Sequence, residues 1–65
     1  MNRGIVKWYN ETKGFGFILS EQGTEVFFHR SGLQKPFQGL QPDDIVVYRT
    51  KQGEKGLIAF DIEKE

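Results

Sequence analysis

The sequence predicts an all-β fold, a barrel of five short strands, on three observations. No helical periodicity of apolar residues lasts long enough to form a long helix. Short runs rich in β-branched and aromatic residues instead alternate with turn-forming glycine, proline and polar residues. With only 65 residues, the chain favours a closed sheet, because closure removes the exposed strand edges of an open one.

The first three predicted strands form a meander. The first covers about residues 3–10 and ends at a polar stretch, residues 11–14. The second, residues 15–20, leads through a turn at residues 21–24, where Gly23 suits a tight hairpin. The third strand, residues 25–29, is short. Because the turn between them is tight, we expect the second and third strands to pair antiparallel.

A long connection and a second hairpin complete the predicted barrel. Residues 30–43 contain two glycines and two prolines, which predicts a loop with one 3₁₀ turn near residues 31–33. The fourth strand covers about residues 44–51, residues 52–56 form the next turn, and residues 57–62 form the fifth strand. This order is compatible with an OB-type barrel and with an SH3-like barrel, which strand count does not separate.

Size and composition narrow the class of function. We expect one domain over residues 1–65, with a thin core, because a chain this short buries only about 60% of its unfolded surface. Nine Lys and Arg balance nine Asp and Glu, so bulk positive charge is not what attracts a partner. The absence of cysteine fits a reducing cytoplasm, and no apolar run approaches a membrane helix. We therefore expect a soluble, cytoplasmic protein that does not bind a membrane.

Side-chain alternation divides the second and third strands into two faces. Phe15 and Phe17 share one face of the second strand, and Ile18 lies on the other. The third strand divides in the same way. We expect a core that contains Ile18, Val26 and Phe28, and an outer face that carries Phe15, Phe17, Phe27 and His29.

Three phenylalanines and a histidine on one outer face are costly to keep in water, which indicates a flat aromatic ligand. Nucleic-acid bases fit, because stacking on an aromatic ring contributes roughly 1–3 kcal/mol per base whatever the sequence. Single strands suit this mode, since the bases of a duplex are already stacked and hidden. Neighbouring residues complete the predicted site: Lys7, Lys13 and Arg30 to meet phosphates, one or both of Trp8 and Tyr9 to widen the platform, and Gly14 and Gly16 to leave space for a nucleotide.

These residues closely resemble the bacterial cold-shock protein family. Residues 13–18 read K-G-F-G-F-I, the family's first ribonucleoprotein motif, and residues 26–29 are similar to its second, usually V-F-V-H. Residues 4–10, G-I-V-K-W-Y-N, are similar to the family's first strand. The resemblance spans essentially the whole chain. An RNA recognition motif shares the glycine–aromatic pattern, but that fold is longer and needs two helices.

The resemblance implies a five-stranded antiparallel OB-fold barrel that binds single-stranded RNA and DNA with a mild pyrimidine preference. It also implies action as an RNA chaperone and as a possible regulator of transcription or translation. By the resemblance, the stacking residues are Trp8, Phe15, Phe17, Phe27, His29 and Phe37. Lys7, Lys13 and Lys55 are implied contacts to the backbone or base edges, with Tyr9 contributing at the edge.

The chain departs from the family pattern at three places. Arg30 stands where many relatives have a stacking phenylalanine, and its guanidinium plane can still stack while it adds charge. The loop at residues 35–37 is about one residue shorter than usual, which affects the position of Phe37. Residues 57–60, L-I-A-F, are bulkier than the usual run, so Phe60 either packs in the core or broadens an apolar surface.

Other functions have weaker support. No cysteine, a single histidine and no suitably spaced carboxylate pair argue against an enzyme, a metal site or a bound cofactor. The main alternative is an SH3-like barrel that holds a proline-rich peptide on the aromatic face. Basic residues beside the aromatics favour nucleic acid, since such peptide grooves often have acidic flanks. We expect a monomer, with a strand-swapped dimer possible through the long central loop.

Overall fold

Five strands close into a barrel in the computed structural model, which describes residues 1–34, 39–54 and 56–65. The strand order around the barrel is β1-β2-β3-β5-β4, which confirms the all-β barrel predicted from the sequence. Among the described residues, no helix is long and apolar enough to cross a membrane. The elements in chain order are β1 Asn2–Asn10, β2 Phe15–Ser20, β3 Glu25–His29, a 3₁₀ turn Arg30–Gly32, β4 Ile45–Gly53 and β5 Gly56–Lys64.

One strand pair departs from the expected antiparallel sheet. β3 and β5 pair parallel, with Phe27 opposite Ile58 and Phe28 opposite Ala59, whereas the other four pairs are antiparallel. The parallel pair arises because β5 reaches β3 only after the long connection and the strand β4. This contact brings β5 next to the strand that carries Phe27, so β5 extends the outer surface of β2 and β3.

The β4–β5 hairpin is tighter than the sequence predicted. β4 continues to Gly53 and β5 starts at Gly56, directly opposite it, so the turn is shorter than residues 52–56. A Cβ atom on Gly53 would lie 2.4 Å from Cδ1 of Ile58. Glycine at this position therefore allows the Ile58 side chain to lie across the end of β4.

The core is built from the inward-facing residues of all five strands. Ile18, Val26 and Phe28 are buried, as predicted from alternation, and Phe28 is 0% exposed. Tyr48 of β4 is the largest fully buried side chain. The remaining buried residues of this cluster are Val6, Leu33, Leu40, Val46, Ala59 and Ile62.

An irregularity in β1 determines which side of the barrel Trp8 occupies. Alternation from the buried Val6 would place Trp8 inside, but the register with β2 shifts between these two residues. After this bulge, Trp8 lies opposite Phe17 on the outside, and Tyr9 faces inward opposite Gly16. A β-bulge of this kind reverses the faces of the strand beyond it. The bulge therefore brings the single tryptophan onto the outer surface.

Candidate nucleic-acid interface

Four aromatic rings from three neighbouring strands lie together on the outer surface, and we call them the aromatic cluster: Trp8, Phe15, Phe17 and Phe27. The Trp8 ring centroid is 5.4 Å from that of Phe15 and 5.6 Å from that of Phe17. Phe27 lies 5.8 Å from Phe17 and stacks on Phe15 at 5.9 Å. Trp8 is 38% exposed. The cluster thus presents partly exposed ring faces and edges, arranged side by side, to solvent.

Strand pairing holds this cluster in place. Trp8, Phe17 and Phe27 occupy directly opposite positions on β1, β2 and β3. Phe15, two residues before Phe17 on the same face, lies opposite His29. The rings are therefore fixed by backbone register on a closed barrel, which limits the rearrangement that binding would require.

His29 lies at the end of β3 and caps the 3₁₀ turn. Its Nδ1 atom accepts a hydrogen bond from the backbone N–H of Ser31 at 3.1 Å. Since Nδ1 is the acceptor, the neutral ring carries its proton on Nε2. This contact fixes the ring at the border of the aromatic cluster, where its exposed side is open to a ligand.

The cations near the cluster differ in their partners. The ammonium group of Lys7 forms an ion pair with the carboxylate of Glu25, so Lys7 already has a partner of opposite charge. Neither Lys13 nor Arg30 has a carboxylate partner among the described residues. Elsewhere on the barrel, carboxylates neutralise three further basic side chains: Arg3 with Glu65 and Glu21, Arg49 with Asp61, and Lys64 with Asp44.

The two glycines of the K-G-F-G-F motif have structural roles that differ from the space for a nucleotide expected above. A Cβ atom on Gly16 would lie 2.4 Å from the carbonyl oxygen of Trp8 and 2.8 Å from Cζ of Phe28, inside the barrel. Gly14 has a φ of 79° and its carbonyl accepts a 2.6 Å hydrogen bond from Arg30 N–H. The Arg30 side chain lies close over Gly14, with Nε 3.5 Å from the position of a Cβ there.

Of the remaining predicted site residues that the structure describes, Tyr9 does not join the cluster. Tyr9 is half-buried and packs against the core, with its ring centroid 5.4 Å from that of Phe28. The β-bulge in β1 explains this position, because it turns Tyr9 inward as it turns Trp8 outward. Phe37 and Lys55 lie outside the described residues.

An apolar groove that the sequence did not predict adjoins the cluster on β5. It has a volume of about 610 Å³ and begins at Phe17 and Phe27. Its other lining residues belong to the β4–β5 hairpin: Glu54, Gly56, Leu57 and Ile58. The bulky run at residues 57–60 was the available signal, but the parallel pairing of β3 with β5 was needed to connect that run to the cluster.

Phe60 lies on the outer surface of β5, two residues beyond Ile58. It is half-buried, whereas the intervening Ala59 is 1% exposed and faces the core. The Nζ atom of Lys51 lies 5.7 Å from the centroid of the Phe60 ring. The sequence left open whether Phe60 packs in the core or broadens an apolar surface. In the structure it broadens the outer apolar surface.

Comparison with known proteins adds independent evidence. Residues 2–65 match the model of the family described as 'Cold-shock' DNA-binding domain. The chain is 42% identical over 66 residues to "Cold shock protein 2" of Lactiplantibacillus plantarum, with 100% of both chains covered. It is also 42% identical over 65 residues to "Cold shock protein CspC" of Bacillus subtilis, with 98% of each chain covered.

A solved structure supports the same fold. The chain resembles "drosophila Unr CSD456" with a TM-score of 0.82 and 25% sequence identity. The match covers 98% of this chain and 26% of the Drosophila chain. The likeness therefore concerns one part of that longer protein.

Proposed function

The chain belongs to the cold-shock DNA-binding domain family, whose members bind nucleic acid, and we propose that it binds single-stranded RNA and DNA by stacking bases on the aromatic cluster. The observation that carries this proposal is the set of ring contacts among Trp8, Phe15, Phe17 and Phe27 on the outside of the barrel. Such exposed rings offer π-faces to unpaired bases.

Charge supports a nucleic-acid ligand at this surface. Lys13 and Arg30 flank the cluster without carboxylate partners among the residues that the structure describes. Because the whole chain has zero net charge, these cations act locally on phosphates next to the rings. We expect a modest salt dependence of affinity, since only a few phosphates are neutralised.

The mode of binding favours single strands with little sequence preference. A duplex keeps its bases stacked inside, whereas a single strand can present them to the rings. Stacking accepts every base, and we propose only a mild preference for pyrimidines. By holding strands unpaired, the protein would act as an RNA chaperone in the cytoplasm and could influence transcription or translation.

We propose that the protein acts as a monomer. Among the described residues, each strand of the closed barrel pairs with two neighbours, so no whole strand is left as an edge for a second copy. Exchange of strands through the long connection between β3 and β4 is the alternative. Size-exclusion chromatography with light scattering distinguishes the two, and a stable dimeric mass at low concentration would contradict the proposal.

The proposed function is tested with a hairpin RNA that carries a fluorophore and a quencher at its ends. Saturating protein should open the hairpin and raise the fluorescence, because it binds the unpaired strand and not the stem. The Phe17→Ala/Phe27→Ala double variant, confirmed as folded by circular dichroism, should leave the hairpin closed.

Calorimetry with a single-stranded oligonucleotide, a duplex and a proline-rich peptide completes this test. Binding to the single strand alone supports the proposal. If the duplex binds as tightly as the single strand, the stacking mode is wrong. If only the peptide binds, the aromatic cluster serves a protein partner and the proposal fails.

A further inference from the structure

The outer surface continues beyond the aromatic cluster onto β5 and β4, and we propose that this extension binds one further nucleotide of the same strand. Its base would lie in the groove against Leu57 and Ile58, and its phosphate would contact Lys51. This inference rests on the proposed function. It adds a defined subsite on the β4–β5 hairpin to the surface formed by β1, β2 and β3.

The first argument is the continuity of the surface across all five strands. Cross-strand partners on the outer surface form one unbroken row from β1 to β4. Each member lies directly opposite the next in the sheet: Trp8, Phe17, Phe27, Ile58 and Lys51. Neighbouring strands in a sheet lie about 4.8 Å apart, so each side chain of the row is adjacent to the next. A strand that follows the rings therefore reaches Ile58 next.

The second argument is the shape of the groove beside Phe27. Leu57 is 41% exposed and Ile58 is half-buried, so both present apolar surface to solvent. The groove volume of about 610 Å³ lies within the range of about 300–1,000 Å³ typical of small-molecule pockets. Gly53 leaves room for the Ile58 side chain, because a Cβ atom on Gly53 would collide with it. Ile58 can thus lie flat beside Phe27 as a floor for a base.

Two charged residues lie at or near the groove: Lys51 beside Ile58, and Glu54 in the lining itself. Lys51 lies opposite Ile58 on β4, is exposed, and has no carboxylate partner in the described part of the chain. It rests near the Phe60 ring, a weak contact that a phosphate can replace. Glu54, in the turn, lines the groove at the hairpin end.

These charges orient the nucleotide. Lys51 attracts a phosphate and Glu54 repels one, so we place the backbone of this nucleotide on the Lys51 side. The polar edge of the base then points toward Glu54, whose carboxylate accepts hydrogen bonds from exocyclic amino groups. Cytosine at this position should consequently bind more tightly than thymine, which lacks that donor.

The test uses a series of oligothymidines that lengthen by one nucleotide at a time, titrated into wild-type protein and the Lys51→Gln variant. The two proteins should have equal affinity for short oligomers. Their affinities should differ once the oligomer is long enough to reach the subsite. From that length, the variant should lose about fivefold in affinity at about 0.1 M salt, and its salt slope should fall by about 0.7, the value for one phosphate on a single strand.

One control variant and two further variants of the subsite complete the test. Lys64→Gln makes the same change of charge near the end of β5, where Lys64 pairs with Asp44, and should show no divergence with length. Ile58→Thr keeps the β-branched shape and should weaken binding of the longer oligomers without altering the salt slope. Replacing thymidine by cytidine at the added position should raise the affinity of wild type and leave that of Glu54→Gln unchanged.

The outcomes separate this inference from the proposed function. If wild type binds no oligomer, the proposed function fails, and the subsite with it. If wild type binds but Lys51→Gln never diverges with length, only the subsite is disproved. An equal loss at every length would assign Lys51 to the general electrostatic field and would likewise overturn the inference.

Discussion

Phe27 and Phe28 are consecutive residues of β3 whose rings lie on opposite sides of the barrel wall. Phe28 is 0% exposed and belongs to the core. Phe27 is partly exposed and lies 5.8 Å and 5.9 Å from the rings of Phe17 and Phe15 on the outer surface. We therefore expect Phe27 to contribute to binding and Phe28 to stability, and matched substitutions test the two roles.

The substitution Phe27→Ala should weaken binding of single-stranded oligonucleotides by roughly 1–3 kcal/mol, because one stacking surface is removed. The free energy of unfolding should change little. Phe28→Ala should instead destabilise the barrel by about 3–5 kcal/mol, since it leaves a cavity in the core. Urea denaturation and calorimetric titration measure both effects. If Phe27→Ala unfolds the protein while affinity per folded molecule is unchanged, the assignment of faces is wrong.

Lys7 and Glu25 form an ion pair at the border of the aromatic cluster. We expect Glu25→Gln to raise affinity several-fold at low salt, because it frees the Lys7 ammonium for a phosphate and removes a negative charge near the ligand. The gain should shrink as salt is added, since exposed charges are screened. When Lys7→Gln is added to Glu25→Gln, the gain should fall to the smaller part that comes from removing the negative charge. An affinity that is the same in wild type and Glu25→Gln at all salt concentrations would show that Lys7 does not contact the ligand.

Tyr48 places a buried hydroxyl in the core without a hydrogen-bond partner among the described residues. Because an unsatisfied buried hydroxyl is destabilising, Tyr48→Phe should stabilise the barrel by about 1 kcal/mol. Thermal and urea unfolding measure this change. A loss of stability would indicate that the hydroxyl has a partner in solution.

The same residue predicts a dependence of stability on alkaline pH. Burial, and secondarily the charge of Glu21, raise the pKa of Tyr48 above its ordinary value of 10.0. The folded state therefore holds the Tyr48 proton more tightly than the unfolded state. The free energy of unfolding is unaffected by this difference below about pH 10 and falls as the pH rises above it. The stability advantage of Tyr48→Phe over wild type should accordingly widen above pH 10. A constant difference across that range would contradict the shift.

Gly16 should not tolerate a side chain. The added methyl of Gly16→Ala would lie 2.4 Å from the Trp8 carbonyl oxygen, so we expect a loss at or above the upper end of the 1–3 kcal/mol typical of overpacking. The emission of Trp8 should also shift, because its backbone must move. Gly23→Ala is the control, because nothing beyond its chain neighbours lies within 4 Å of a Cβ atom built at Gly23. Only its φ of 85° opposes a side chain, which should cost about 1–2 kcal/mol of stability. Equal losses for the two variants would show that the contact is relieved elsewhere.

The sequence predicted the faces of β2 and β3 well, because regular alternation from Phe15 to Ser20 and from Glu25 to His29 determines which side chains are buried. The same rule does not hold along β1, because a single bulge places Trp8 on the outside and turns Tyr9, one of the expected platform residues, inward. Nothing in the residue types of β1 marks that bulge. Its signal is the contact of Gly16 with the Trp8 backbone, which becomes visible only when the two strands are paired.

The groove on β5 was missed for a different reason. Residues 57–60 are recognisably bulky, but their place beside Phe27 depends on a parallel pairing between strands that are distant in the chain. Such long-range contacts are not encoded in local periodicity. The position of Ile58 between Phe27 and Lys51 therefore follows from the topology of the closed barrel.

The central claim is that unpaired bases stack on the aromatic cluster, and Trp8 reports on it directly because it is the single tryptophan and contacts both Phe15 and Phe17. We would titrate the protein at low salt with a short oligothymidine and follow Trp8 fluorescence, with a duplex of equal length as control. We expect saturable quenching by the single strand and none by the duplex. An unchanged Trp8 signal under conditions in which calorimetry detects binding would contradict it, because the strand would then lie elsewhere on the barrel.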